Sequence, residues 1–251
     1  MKFTVLTLFP NVIKEYIDTS IISNAISDNL VEIDVVDLRN FGKGKRRNVD
    51  DTVYGGGAGM VITVPVLDEA LSSLNIDSDT KIIYLSPKGK TLNQNIVKDY
   101  SINTSHIVLI CGHYEGVDER ILELYDIEQV SIGDYILTGG ELAALVLIDS
   151  ITRLLPGVLS IGSAENETFE NYLLEEEQYT KPLEYKGIKV PDILVSGNHK
   201  AVDEYRLEQR IYSTYKLRPD LLQKYIENNN LNENYIKDII TKKEGNKNGY
   251  N

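Results

Sequence analysis

Short apolar runs alternate along the first 155 residues with longer stretches in which apolar side chains recur every three or four positions. The runs at residues 2–8, 31–37, 81–85, 106–111 and 128–132 predict strands, because they are short, rich in β-branched residues and bounded by turn formers. The stretches at 11–27, 65–74, 92–100 and 117–124 carry the helical period, with Pro65 suited to a first helical position and Thr91 to an N-cap. Strand–helix alternation of this kind predicts an α/β fold with a mainly parallel sheet.

Residues 140–155 break the amphipathic rule. Apolar side chains occupy 142–148, 151, 154 and 155, so this helix is greasy over most of its circumference. It is expected to be buried within the domain or against another subunit. After Pro156 the texture changes. Residues 160–177 are polar and acidic and read as a flexible linker. Helical patterns return at 198–216, 220–228 and 232–243, giving a small all-α second domain, and 244–251 reads as a disordered tail.

The chain of 251 residues carries 26 Lys and Arg against 38 Asp and Glu, a formal net charge of −12. Taken globally, that balance argues against a nucleic-acid partner. The charge is local, however. Residues 101–177 hold fifteen acids and two bases, Arg120 and Arg153, while residues 178–251 carry a net +3. Cys111 is the single cysteine, so no internal disulfide is expected, and its strand-like setting suggests a reduced, buried thiol. His106, His113 and His199 lack metal-ligand spacing. No apolar run approaches the roughly 18 residues of a membrane span, and the opening residues lack a signal-peptide pattern. The chain reads as a soluble cytoplasmic protein.

Three strand candidates are followed by glycine-bearing segments. They are Ser86-Pro87-Lys88-Gly89, then Gly112-His113-Tyr114-Glu115-Gly116, then Gly133-Asp134-Tyr135-Ile136-Leu137-Thr138-Gly139-Gly140-Glu141. In parallel sheets ligands bind outside the carboxyl ends of strands, so three such loops in succession suggest a small-molecule pocket. A fourth segment, residues 49–60, contains Gly55, Gly56, Gly57 and Gly59. Met60-Val61-Ile62 rules out a P-loop, which needs Gly-Lys-Ser/Thr. No clear strand feeds this segment, so it reads as a flexible substrate-facing loop. Immediately before it lie Lys43, Lys45, Arg46 and Arg47, the densest basic cluster in the chain.

Together these segments resemble the bacterial tRNA (guanine-N1)-methyltransferases of the SPOUT superfamily. The resemblance rests on Leu8-Phe9-Pro10 and the segments 49–60, 84–89, 111–118 and 131–141. It continues through Arg153 with Pro156-Gly157-Val158-Leu159, Tyr179-Thr180-Lys181-Pro182 and Ser196-Gly197-Asn198-His199. It runs in order from residue 6 to about residue 222. The resemblance implies a SPOUT-type parallel sheet with a C-terminal trefoil knot, plus a small all-α C-terminal domain. It divides the chain into a knotted S-adenosylmethionine-binding domain at 1–159, a flexible catalytic linker at 160–177, a helical tRNA-binding domain at 178–243 and a tail at 244–251.

The implied donor pocket uses Tyr84, Leu85 and Ser86, then Gly112, Tyr114, Glu115 and Gly116. Ile132, Gly133, Asp134, Tyr135, Ile136, Leu137, Gly139 and Gly140 complete it. The implied reaction methylates N1 of the guanosine immediately 3′ of the anticodon in tRNA. The family uses a linker Asp as base and an Arg near the end of the long helix to stabilise charge on O6. Arg153 matches the Arg. The linker here reads Asn166-Glu167-Thr168-Phe169 where the family usually has Asp-Ser-Phe, so Glu167 is the candidate base. A second departure is Ala143, where many relatives have Pro. Family members are homodimers with the active site at the interface, which gives the greasy helix a partner. Lys200, Arg206, Arg210, Lys216 and Arg218 are the candidate tRNA contacts of the second domain, and the basic cluster Lys43–Arg47 is a further candidate. The family is also linked to Mg2+, for which Glu115 and Glu167 are candidate ligands, although no spacing identifies a site. No membrane or DNA partner is implied. The alternative reading is an inactive or divergent SPOUT protein that binds another RNA.

Overall fold

Each of the five apolar runs becomes a strand of one sheet. The computed structural model describes residues 1–159, 168–169 and 171–247. In chain order the first part contains β1 (Lys2–Thr7), α1 (Pro10–Ile17), α2 (Ser20–Ser27), β2 (Glu32–Asp37), β3 (Asp50–Thr52), β4 (Met60–Ile62) and α3 (Val64–Ser72). It continues with β5 (Thr80–Thr91), α4 (Gln94–Asn103), β6 (His106–Cys111), α5 (Arg120–Leu124), β7 (Ile127–Ser131) and α6 (Glu141–Thr152). The large sheet is parallel throughout, in the order β2-β1-β6-β5-β7.

The inner strands are apolar on both faces, as helix-covered parallel strands must be. Phe3, Val5, Ile83, Leu85, Ile107 and Leu109 point to one face and pack with Ile13, Ile22, Val97, Ala144 and Ile148 of α1, α2, α4 and α6. Leu6, Ile82, Tyr84, Val108 and Ile110 point to the other, under Val66, Leu67 and Ile121 of α3 and α5. Alternate residues thus feed two cores, with β6 buried from Ile107 to Cys111.

Several boundaries differ from those expected. The helix expected at 11–27 is broken into α1 and α2, with Ser20 at φ +55° and the Thr19 hydroxyl donating to the Tyr16 carbonyl. Ile13, Ile17 and Ile22 keep helical spacing across the break, so periodicity alone hides it. Asn93, not Thr91, caps α4, accepting from the N–H groups of Asn95 and Ile96. The helix expected from Val117 starts at Arg120, because Val117 bridges Ile62 and the Asp118 N–H donates to the Ile62 carbonyl. The glycine segment is fed by a strand after all: β3 and β4 pair antiparallel and make residues 53–59 the tip of a hairpin.

Helix α6 is buried at Ala143, Ala144, Leu145, Leu147, Ile148 and Ile151, while Leu142 and Val146 remain exposed. Tyr16 of α1 donates to the Asp149 carboxylate of α6 at 2.7 Å.

The chain divides into two compact units, Met1–Ile161 and Gly162–Asn251. The second contains a short hairpin, β8 (Glu184–Tyr185) and β9 (Ile188–Lys189), followed by α7 (His199–Leu217), α8 (Pro219–Asn229) and α9 (Glu233–Lys247). Its core joins Leu173, Ile211, Leu222, Ile236 and Ile239. Asn198 caps α7 by accepting from the Ala201 N–H. Within the stretch read as a linker, residues 171–177 are docked on this unit: Leu173 is fully buried and the Leu174 N–H donates to Thr214 Oγ1 at 2.9 Å. The tail expected to be disordered is helical through Lys247, since α9 continues past residue 243. Residues 248–251 lie outside the described residues.

Candidate active site

The cleft begins with an irregularity in β5. Leu85 and Lys90 both register with Val130 of β7, so Ser86–Gly89 loop out of the ladder before the strand resumes. Gly89 brings the chain back directly against the backbone of Gln129 and Val130, leaving no room for a Cβ. The Lys88 N–H donates to Ser86 Oγ at 3.2 Å and holds the loop shut.

At the end of β6 the chain turns through Gly112–Gly116. Tyr114 adopts φ +59°, and the Gly116 N–H donates to the His113 carbonyl at 3.0 Å. This turn is tied to the glycine hairpin: the Glu115 N–H donates to the Met60 carbonyl and the Ile62 N–H to the Gly116 carbonyl. At the end of β7, Ser131 Oγ accepts from the Gly133 N–H and donates to the Gly133 carbonyl. The chain then returns to β6, where His113 bridges Gly139 and the Gly140 N–H donates to the Gly112 carbonyl at 2.9 Å. A Cβ on Gly140 would lie 2.7 Å from the Cys111 Cα.

These three loops enclose a cleft of about 340 Å³, within the range of small-molecule sites. Tyr84, Leu85, Ser86, Gly112, Tyr114, Glu115 and Gly116 line it, as do Ile132, Gly133, Tyr135, Ile136, Leu137, Gly139 and Gly140. Asp134, included in the expected set, does not line it. Pro87, Lys88, His113, Val117, Glu119, Val130, Ser131 and Thr138 also line it and were not in the expected set, as does Ala143, noted above only as a departure from the family pattern. Of these, His113 and Thr138 sit inside the glycine motifs and were legible there; nothing in the sequence marks Glu119.

The cleft mixes apolar and polar lining in nearly equal measure. Burial, with Glu119 nearby, pushes the Tyr84 hydroxyl up from its ordinary pKa, so it stays a protonated donor at neutral pH. Burial likewise raises Tyr114. Behind Gly139, the buried Glu141 carboxylate accepts from Thr7 Oγ1 at 2.7 Å. Of the cleft-lining rings, His113 lies 4.8 Å from Tyr114 and 5.0 Å from Phe9, over whose ring Arg39 sits at 5.3 Å. Such a site suits a ligand with a flat apolar body and hydrogen-bonding edges.

Arg153 is half-buried and forms the C-cap of α6, its N–H donating to the Asp149 carbonyl. Glu167 lies outside the described residues. Among the described residues no group of three or more His, Cys, Asp and Glu side chains is arranged to hold a metal ion. No helix among them is long and apolar enough to cross a membrane.

The family described as tRNA (guanine-1)-methyltransferase, TrmD, matches residues 1–224. The chain belongs to this methyltransferase family. Curated relatives named tRNA (guanine-N(1)-)-methyltransferase agree with that membership. The one from Mycoplasma capricolum is 50% identical over 88% of this chain and 92% of its own length. That from Malacoplasma penetrans is 50% identical over 91% and 100%, and that from Clostridioides difficile 47% over 89% and 98%. The chain is thus a TrmD-family enzyme, and the matched region contains the whole cleft and reaches into α8.

Proposed function

We propose that this enzyme transfers a methyl group from S-adenosylmethionine to N1 of the guanosine immediately 3′ of the anticodon in tRNA. The observation that carries the reading is the convergence of the three glycine loops on one cleft in a chain of this family. The residues present fit the donor. Leu85, Leu137 and Ala143 offer apolar contact, Gly112 and Gly140 let the loops close tightly against Tyr84 and Cys111, and the volume suits a nucleoside-sized ligand. When bound, the donor supplies an electrophilic methyl on a sulfonium.

The protein's own residues then manage the proton and the charge. N1 of guanine carries a proton at neutral pH, so Glu167 is assigned as the base that removes it. Arg153 is assigned to offset negative charge developing on O6. A glutamate reaches one methylene further than the aspartate usual in the family. Mg2+ remains part of the proposal only as a carboxylate-held ion at Glu115 or Glu167, and no step depends on it.

The homodimer belongs to the same reading. Leu142 and Val146 are 57% and 46% exposed on a helix otherwise buried, and Val12 and Tyr16 of the adjoining α1 extend the apolar face. The trefoil knot is likewise proposed, supported by the return of residues 139–140 onto residues 112–113. For tRNA contact, Lys200, Arg206, Lys216 and Arg218 are the candidates in the second unit. Arg210 is better read as structural, because it donates to Asn171 Oδ1 and the Leu174 carbonyl.

The test is transfer of labelled methyl from S-adenosylmethionine to unmodified tRNA carrying guanosine or adenosine at that position. Incorporation only with guanosine is expected. Incorporation into both shifts the assignment to another atom or RNA, and none with well-folded protein overturns it.

A further inference from the structure

The glycine hairpin carries a feature that the methyl-transfer reading leaves unused. Tyr54 stands at its tip and is 96% exposed, the most exposed large hydrophobic side chain among the described residues. A tyrosine in water forgoes the burial that usually justifies so large a ring. The tip around it is glycine-rich, yet its base is held firmly. Strands β3 and β4 pair across it, Gly59 packs against the Glu115 side chain, and the Glu115 N–H donates to the Met60 carbonyl at 2.9 Å. Glu115 lines the cleft, so the hairpin rises from the cleft wall itself. Tyr54 also lies within electrostatic reach of Arg120, at the start of α5.

The chain entering this hairpin supplies matching charge. Lys43 and Asn48 bridge to form a small turn directly before β3, with Lys45, Arg46 and Arg47 exposed on it. Lys43 pairs with Glu69, and Arg47 reaches Asn40. Lys45 and Arg46 carry no ion pair among the described residues. An exposed aromatic ring and exposed cations on one short stretch of chain supply the two contacts that bind single-stranded nucleic acid, base stacking and phosphate pairing.

We infer that Tyr54 is a tRNA-binding residue that stacks on a nucleobase flanking the target guanosine, while Lys45 and Arg46 hold the adjoining phosphates. This rests on the tRNA reading above and deepens it. A guanosine that leaves the anticodon-loop stack to reach the cleft exposes its neighbour's face, and Tyr54 covers that face. The glycines let the ring swing onto the base without disturbing the root.

The experiment uses the full chain with tRNA transcripts, measuring direct tRNA binding, single-turnover methyl transfer and donor binding separately. Tyr54→Ala is expected to weaken tRNA binding about 10-fold or more and to raise KM for tRNA. Single-turnover rate at saturating tRNA and donor affinity should be unchanged. Tyr54→Phe keeps the ring and should behave as the parent, whereas Tyr54→Leu should resemble the alanine variant. A transcript with an abasic nucleotide beside the target guanosine should bind the parent as weakly as intact tRNA binds the alanine variant, and combining the two should add little. Undiminished tRNA binding by Tyr54→Ala overturns the inference while leaving the methyl-transfer reading intact. A lowered sedimentation mass for that variant also overturns it, assigning the ring to contact with a second copy. A parent protein that binds or methylates no tRNA overturns both.

Discussion

The Gly140 N–H donates to the carbonyl of Gly112 across 2.9 Å, joining the loop after β7 to the loop after β6. This one bond closes the back of the cleft and leaves no space for a side chain on Gly140. Gly140→Ala would place a methyl 2.7 Å from the Cys111 Cα, against backbone that cannot rotate away. Overpacking of this kind costs about 1–3 kcal/mol. We expect a lower melting temperature together with a disproportionate loss of S-adenosylmethionine affinity. Parallel calorimetric titration and thermal unfolding would separate the two. An alanine variant that binds the donor normally would remove Gly140 from the pocket.

Glu167→Gln keeps the size of the proposed base and removes its proton affinity. Single-turnover methyl transfer should fall by roughly 10² to 10⁴, the usual share of general-base catalysis. Arg153→Ala should cost roughly 10² to 10³, as loss of an oxyanion-stabilising donor does. Neither change should alter donor affinity. If Glu167→Gln retains its rate, another carboxylate takes the proton.

Cys111 is fully buried, and burial, with Glu141 nearby, holds its thiol well above the ordinary cysteine pKa. The native protein should therefore resist a thiol-specific reagent at mildly alkaline pH, while the unfolded chain reacts at its single cysteine. The sign of the linked stability follows. The unfolded thiol loses its proton near pH ~8.5 whereas the folded one keeps it, so stability declines as pH rises above that point. Cys111→Ala should flatten that decline in urea titrations below pH ~10, where tyrosines begin to contribute.

Binding of tRNA should weaken steeply with salt despite the net negative charge, because the excess acid lies within residues 101–177, outside the segments that carry the exposed bases. Arg46→Ala should reduce the slope of log affinity against log salt by about one, whichever tRNA is used. An unchanged slope would exclude Arg46 as a phosphate contact.

Strand type and order of elements were legible because the inner strands, buried on both faces, leave continuous apolar runs such as Ile107–Cys111. What stayed hidden were breaks that do not disturb periodicity. The turn at Ser20 interrupts a helix whose isoleucines keep their spacing, and the Ser86–Gly89 loop interrupts a strand that resumes in register with the same Val130. The cleft was legible through its glycines, which mark the close approaches at Gly89 and Gly140. Asp134 was carried along by position in a motif, and Glu119 was missed because it reaches the cleft from the start of α5, outside any motif. In the acidic stretch Leu173 was legible as a candidate apolar anchor, and the second unit's core holds it.

Strand β1 finds its inner partner late. Lys2–Leu6 register with His106–Ile110, roughly a hundred residues further along the chain. At the usual pace of synthesis, about 5–20 residues per second, the first strand waits on the order of 5–20 seconds after translation before β6 exists. During that interval β2 can shield one side of it, but the other remains an open apolar edge. The birth of this enzyme on the ribosome is therefore its most aggregation-exposed moment, and the cleft comes into being only after β6 has slotted between the newly made β5 and a first strand made long before it.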